Sequence, residues 1–508
     1  MNLSLLIFVP LAVAGLLLFC KGGRQVRMLS LAGAIVQLGL SVVLLSRYLD
    51  ERAAGNKAVM LFESNSPWFT PLHIHYHVGV DGISIAMILL TAFVVLAGVL
   101  VSFAIETLTK EFFFLLLLLS VGAYGFFISL DLFTLFFFLE VSVIPKFLLI
   151  GIWGTGKKEY SAMKLALMLM GGSALVLIGL LGLYYHTWES GGGHSFDMMA
   201  ISQMHIPLEV QRLFFPFLFA GFGIFGALFP FHTWVPDGHS SAPTAGSMFL
   251  AGISMKLGGY GCLRVAVFLM PQAAAIYSPY IIALSTIAII YGAFATMMQT
   301  DLKYINAYSS VSHCGFVLLG IGMLTKTAVT GAVMQMVSHG LMTALFFAAI
   351  GMIYSRTHTR LVAQMGGLLK IMPFLATAFV IAGLCSLGLP GFSGFAAEVT
   401  VFMGSWQRAE TGYRIATLLA CASIVVTAVY ILRAVGQTIM GPLKAPMTQG
   451  GHGTAGSGVA WTTAGLAIDA TWNERLAIVL LVAGIVLIGV APFWLSDLLT
   501  PGVGNILH

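Results

Sequence analysis

Residues 131–150 read DLFTLFFFLEVSVIPKFLLI, and Glu140 and Lys146 are foreign to the hydrocarbon-like setting around them. Ionisable side chains recur in other apolar runs: Lys164 in SAMKLALMLMGG, Lys256 in LAGISMKLGGYG, His313 in SSVSHCGF, His339 in MQMVSHGLMTAL, Glu398 in GFSGFAAEVTVF and Arg433 in AVYILRAVGQ. An ionised group at bilayer depth costs at least about 2.5–3.5 kcal/mol on insertion scales, and such groups usually mark ion paths. Dry surroundings in general push carboxyl and ammonium groups toward titration near neutrality, where imidazole already titrates. Alternating acid, ammonium and imidazole therefore suits a proton relay. Plainer readings compete. Lys164 and Arg433 lie near run ends and can snorkel to headgroups. His313 and His339 can be neutral packing residues. Asp81, Asp131 and Asp301 sit where helix N-caps are expected. Glu140, Lys256 and Glu398 lie well inside their runs, and their alternative is a structural ion pair.

Other chemistries lack their signatures. The protonatable residues are not clustered as metal ligands, and no haem or iron–sulfur spacing occurs. GTGKKEY (154–160) lacks the glycine spacing of a phosphate loop. Cys20, Cys262, Cys314, Cys385 and Cys421 are scattered without a CxxC and read as small apolar residues.

The elements that must hold these residues are membrane helices. Of 508 residues, 59% are hydrophobic and 8% charged, against about 25% charged in soluble domains. The small net charge of +5 suits cytoplasmic loops better than a nucleic-acid surface. A ruler of roughly 20 apolar residues finds about fourteen spans, near 3–20, 28–47, 81–103, 112–130, 131–153, 161–185, 212–230, 244–269, 278–298, 304–324, 327–353, 372–404, 412–436 and 475–497. The first has its basic residues after the apolar run, so it is expected to be a retained helix rather than a signal peptide. Residues 48–79, 186–211 and 441–474 are polar loops, the last rich in Gly, Thr and Ala and expected to be flexible. The Lys/Arg bias favours both termini outside.

Two segments run apolar and then break at proline: GFGIFGALFPFHTWVPDGH (221–239) and AGLCSLGLPGFSGFAAE (382–398). They fall in spans seven and twelve. An odd offset of five spans reverses the sense of crossing, as in the inverted repeats of transporters. The expected fold is an all-α polytopic membrane protein: N-terminal helices in 1–110, one five-helix repeat in 111–270 (helices 4–8), a second in 271–440 (helices 9–13), and a cytoplasmic loop with a last helix in 441–508.

PFHTWVPDGHSSAPTAGSMFLAGISMKLGGYG (230–261), DLKYINAYSSVSHCGFVLLG (301–320) and MVSHGLMTALFF (336–347) resemble the antiporter-like subunits of proton-pumping NADH:quinone oxidoreductase, respiratory complex I. The segment around LEVSVIPKFLLIGIWG and the stretch YSRTHTR (354–360) are similar to the subunit M, or chain 4, type. The resemblance spans nearly the whole chain. It implies that Glu140, Lys256, His339 and Glu398 match the family's helix-five acid, helix-eight lysine, helix-eleven histidine and helix-twelve carboxylate, forming half-channels along a polar axis. Lys146, Lys164 and His313 complete the candidate relay. It also implies a prokaryotic inner (plasma) membrane, L-type and N-type antiporter-like neighbours, no cofactor in this chain, and FMN, iron–sulfur clusters and quinone in partner subunits. The core motifs are shared with subunits of cation/proton antiporter complexes and membrane-bound hydrogenases. A stand-alone transporter and an inactive structural chain are the remaining alternatives.

One departure stands out. The family pattern has a helix-seven lysine just before the PxHxW motif, and this chain has Phe225, with no lysine from 165 to 255. Lys146 stands instead in span five, where six helical positions turn it about 120° from Glu140. Three readings follow: Lys146 replaces the missing lysine, it faces a carboxylate of an adjacent subunit, or the first half-channel does not pump.

Overall fold

The computed structural model describes residues 2–189, 193–444 and 469–507. Most of the 441–474 loop therefore lies outside the described residues. The chain is helical almost throughout, and ten helices among the described residues are long and apolar enough to cross a membrane.

The N-terminal part comprises α1 (Leu5–Leu17), α2 (Gly23–Ala53), β1 (Leu61–Phe69), β2 (Ile74–Val80) and α3 (Gly82–Val101). The next comprises α4 (Thr109–Ile128), α5 (Leu132–Val141), α6 (Val143–Trp153), α7 (Lys158–Glu189), α8 (Met198–Gln203), α9 (Leu208–Phe225), α10 (Trp234–Ser241), α11 (Thr244–Phe249) and α12 (Met255–Gly261). Then follow α13 (Pro271–Met297), α14 (Leu302–Gly322), α15 (Lys326–Thr357), α16 (Pro373–Ser386), α17 (Ser393–Trp406), α18 (Thr411–Thr438), α19 (Trp472–Val490) and α20 (Phe493–Ile506).

Long apolar runs make helices because only a helix satisfies its backbone without water. The interruptions have local causes. Pro145 offers no N–H and crowds the carbonyl four residues back, so the α5–α6 break falls at Ser142 rather than at the proline itself. Pro230 follows the end of α9 at Phe225. Gly388 has φ +73° between α16 and α17, and a Cβ there would lie 2.6 Å from Oε2 of Glu398. Glycine is thus required both by the backbone and by the carboxylate. The three end aspartates all cap: Asp81 accepts from Ser84, Asp131 from Thr134 and Asp301 from Lys303. Two also pair with arginine, Asp81 with buried Arg264 and Asp301 with Arg360.

Helices α3, α4 and α15 are enclosed by their neighbours, whereas α2, α18 and α19 turn more of their surface outward. The most intimate packing joins α13 with α14, α7 with α9, and α15 with α17.

The 48–79 segment departs from the loop reading. It contains an antiparallel β1–β2 hairpin with register shifts near Leu61/Ser64 and Pro67/Phe69. Irregular pairing erases strict alternation, which is the sequence signal for a strand. The hairpin is tied down by charge. His77 Nδ1 lies 3.0 Å from Asp197, the cap of α8, and its Nε2 lies 3.6 Å from Glu63. Burial disfavours imidazolium, but the Asp197 and Glu63 carboxylates outweigh it and hold the His77 pKa above its ordinary value. Burial likewise opposes ionisation of Asp197, and His77 with the α8 amides holds its carboxyl below the usual range. His77 thus stabilises the fold below about pH 6.5 and loses that contribution as pH rises through its raised value. Asp197 contributes above about pH 3.9 and loses its share as pH falls through its lowered value. Hairpin amides should exchange faster at about pH 9 than at about pH 6, after correction for intrinsic exchange, and His77→Phe should abolish the difference. Hydrogen exchange read by mass spectrometry checks this; equal wild-type protection at both pH values contradicts it.

Candidate functional site

Lys256 sits on α12, which is flanked by two π-helical turns, Leu250–Ser254 and Cys262–Val267. Such turns are rare and concentrate at functional sites. Here the first one sends the Met255 N–H to Leu250, and the Ala251 carbonyl accepts from the Lys256 ammonium. The Lys256 Nζ also lies 2.6 Å from Nδ1 of His339 on α15. Both side chains are buried. At that separation two positive charges would repel each other strongly.

His339 faces His313 of α14, the two rings lying 5.4 Å apart between centroids. His313 Nδ1 is 3.5 Å from Oε1 of Glu398 and 3.2 Å from Gln335, and its Nε2 is 3.0 Å from Ser386. Glu398 is buried on α17, immediately past the α16–α17 break. Lys256, His339, His313 and Glu398 therefore form one buried row drawn from four helices. His313 occupies the place between His339 and Glu398, a link that sequence spacing alone does not reveal.

Glu140 and Lys146 form a second group. Glu140 accepts a hydrogen bond from Ser173 of α7. Lys146 donates to Ser142 at 3.0 Å and lies 5.9 Å from the centroid of the Phe225 ring. No ion pair within 4.0 Å joins Lys146 to Glu140 among the described residues. Lys146 is only 1% exposed, so its ammonium points into the chain, at the residue standing where the family pattern has lysine. Just beyond Phe225, the Gly226 backbone abuts Gly258 of α12 so closely that a Cβ on Gly258 would collide with it. The two groups are thus separated by one aromatic wall and a backbone contact.

Lys164 stands apart from both. It pairs with Asp237 of α10 at 2.6 Å, each about a quarter exposed. Arg433 donates to the Gln299 carbonyl at 2.9 Å rather than joining the row. Sequence reading missed Asp237, His239, Lys303, Asn306 and Gln335. All are buried or pair-forming polar residues within the quoted 230–261, 301–320 and 336–347 stretches or one residue outside them. A count of polar residues by helix face would have raised them. No group of three or more His, Cys, Asp or Glu side chains among the described residues is placed to hold a metal ion.

Residues 129–427 match the family model described as NADH:quinone oxidoreductase/Mrp antiporter, TM. The chain is 37% identical over 449 residues to NADH-quinone oxidoreductase subunit M of Rickettsia bellii, covering 87% of this chain and 88% of the relative. It is 36% identical over 444 residues to an NAD(P)H-quinone oxidoreductase chain 4 of Thermosynechococcus vestitus, covering 86% and 82%. Among solved structures it resembles a chain of respiratory complex I from Thermus thermophilus, with TM-score 0.85, 25% identity and 99% of each chain covered. It shares its fold with a chain of the Mrp complex from Dietzia sp., with TM-score 0.83, 19% identity, and 100% and 97% covered.

Proposed function

The chain belongs to the NADH:quinone oxidoreductase/Mrp antiporter family, in its subunit M (chain 4) branch, and on that premise we propose how it moves protons. It is a proton-translocating membrane-arm subunit of NADH:quinone oxidoreductase, a multi-pass membrane protein that works beside other membrane-arm subunits. Redox chemistry takes place elsewhere in the assembly. In the finer reading, about fourteen spans comprise N-terminal helices (1–110), two inverted five-helix repeats (111–270 and 271–440) and a last helix (441–508). Both termini face outward from a prokaryotic inner membrane, and the neighbours are L-type and N-type antiporter-like chains. FMN, iron–sulfur clusters and quinone belong to partner subunits, and this chain carries no cofactor of its own.

The buried row Lys256–His339–His313–Glu398 carries this reading. A proton arriving on Lys256 moves to Nδ1 of His339, then by way of His313 to Glu398, which releases it outward. Directionality needs a bistable element upstream. Glu140 and Lys146 supply it. When a signal from a neighbouring subunit draws Glu140 away, the uncompensated Lys146 ammonium acts through a low-dielectric wall. Its field raises the cost of a second ammonium at Lys256 and drives that proton toward His339. When Glu140 returns, Lys256 reloads. Lys164 with Asp237 holds α7 against α10, apart from this switch.

Glu398→Gln tests the terminal step. The amide keeps the shape and the hydrogen bonds but cannot bind and release a proton. In inside-out vesicles with the intact assembly, NADH-driven acidification through this chain should slow by about a hundredfold or more. Wild-type protons per NADH in that variant would remove Glu398 from the path.

A further inference from the structure

On its hairpin side Lys256 has polar neighbours that the row does not use. Lys256, Tyr260 and Arg264 recur every four residues along α12 and the π-helical turn after it, so they stack on one helix face. Eight helical residues put Arg264 roughly 12 Å from Lys256 along the axis. All three side chains are buried. The Tyr260 hydroxyl meets that of Ser84 on α3 at 2.9 Å and lies 3.4 Å from the Phe127 carbonyl. The Ser84 N–H donates to Oδ1 of Asp81, the cap that joins α3 directly to strand β2. Oδ2 of the same carboxylate pairs with the Arg264 guanidinium, which lies 5.7 Å from the Tyr260 ring centroid.

Without Arg264 these groups would make a short way between Lys256 and the hairpin face. Tyrosine and serine hydroxyls both donate and accept, so a proton can be handed along them to a carboxylate. Such a shortcut bypasses the row and lets protons slip back. The group standing in it is a guanidinium, which has five donors, no acceptor and a proton it does not give up. A hydrogen-bonded chain that meets it goes no further. Its Nε and Nη1 find no acceptor among the described residues, so it turns only donors toward its pocket. Its fixed charge in a low-dielectric setting also makes a migrating proton costly nearby, and arginines exclude protons from pores in this way. Helix α20 closes over the pair: a Cβ on Gly82 would collide with the Leu498 carbonyl, and one on Gly502 would lie 2.6 Å from Oδ2 of Asp81.

We infer that the Asp81–Arg264 pair is a proton plug. It seals Lys256 from the hairpin face, which the proposed orientation turns outward, and so obliges the proton to leave through the row to Glu398. The plug rests on the proton-carrying role read for Lys256 above and adds what keeps that carrier from leaking. Arg264 carries no proton itself; it positions Asp81 and bars the shortcut.

The test reads leak rather than pumping. Inside-out vesicles with the intact assembly receive an acid-inside pH gradient without NADH, and a pH dye follows its collapse, corrected for vesicles lacking the assembly. Asp81→Asn with Arg264→Gln removes both charges together, so neither is left buried without its partner. This double variant is expected to collapse the gradient at least about tenfold faster than the parent. Adding Lys256→Met is expected to restore the parental rate, because the leak runs through Lys256, whereas loosened helix packing would leak either way. Parental tightness in the double variant overturns the plug, and so does a fast leak that survives Lys256→Met. Arg264→Gln alone gives the same two readings should the double variant fail to assemble. The relay is judged separately: parental protons per NADH in Lys256→Met alone would bring down that reading and the plug with it, while a lowered ratio beside a tight double variant removes the plug only.

Discussion

Lys256→Met is expected to slow proton transfer through this chain by at least about a hundredfold, the loss typical when a positioned proton carrier is removed. The Lys256 Nζ lies 2.6 Å from Nδ1 of His339. Methionine fills much of the same space in the α12 environment without a proton to give. Removing a buried ammonium also lifts a desolvation cost, so the chain should insert and assemble at least as well as the parent. Lys256→Arg separates charge from titration: it restores the positive field yet leaves the proton bound, and it should pump no better than methionine. The measurement is dye-monitored acidification of inside-out vesicles, with NADH oxidation followed in parallel under uncoupler. Pumping at parental stoichiometry in the methionine variant would mean that protons cross elsewhere.

The second large effect concerns the Lys146 ammonium. Lys146 lies 5.9 Å from the Phe225 ring centroid and is 1% exposed. If it is the switch cation, Lys146→Met should reduce protons per NADH as far as Lys256→Met does. Phe225→Lys alone adds a second buried ammonium beside the first. It should lower stability by about 2.5–3.5 kcal/mol, the cost of one uncompensated charge at depth. The double variant Lys146→Met with Phe225→Lys moves the cation across the same gap. It should recover both stability and pumping, which neither single variant does. Thermal unfolding and the vesicle assay check the two halves separately. Should Lys146→Met pump like the parent, the first repeat contributes no switching and Lys146 is a packing residue.

These expectations also measure how far the linear chain could be read. Apolar length located long helices such as α7, α13, α15 and α18 to within several residues, the ends being set by caps and prolines rather than by hydropathy. The kink near Pro145 and the breaks near Pro230 and Gly388 were legible for the same reason, since each is a local backbone constraint. The hairpin was not, because its pairing is irregular and part of its hold comes from Asp197, 120 residues away from His77. Nor was Lys303. In sequence it looks like a loop cation at the start of α14, and only the packing of the 358–372 connection and α10 buries it.

The sequence by itself determined that protonatable groups would stand at bilayer depth, because the cost of a charge in hydrocarbon is local and can be counted residue by residue. The tertiary structure alone decided which of them meet. Lys256 and His339 are 83 residues apart and Lys164 and Asp237 are 73 apart. Their contact depends on how whole helix faces interlock, on two π-helical turns that rotate α12, and on glycines that let α9 approach it. A shift of one residue in any of these would turn a side chain by about 100° and break the row.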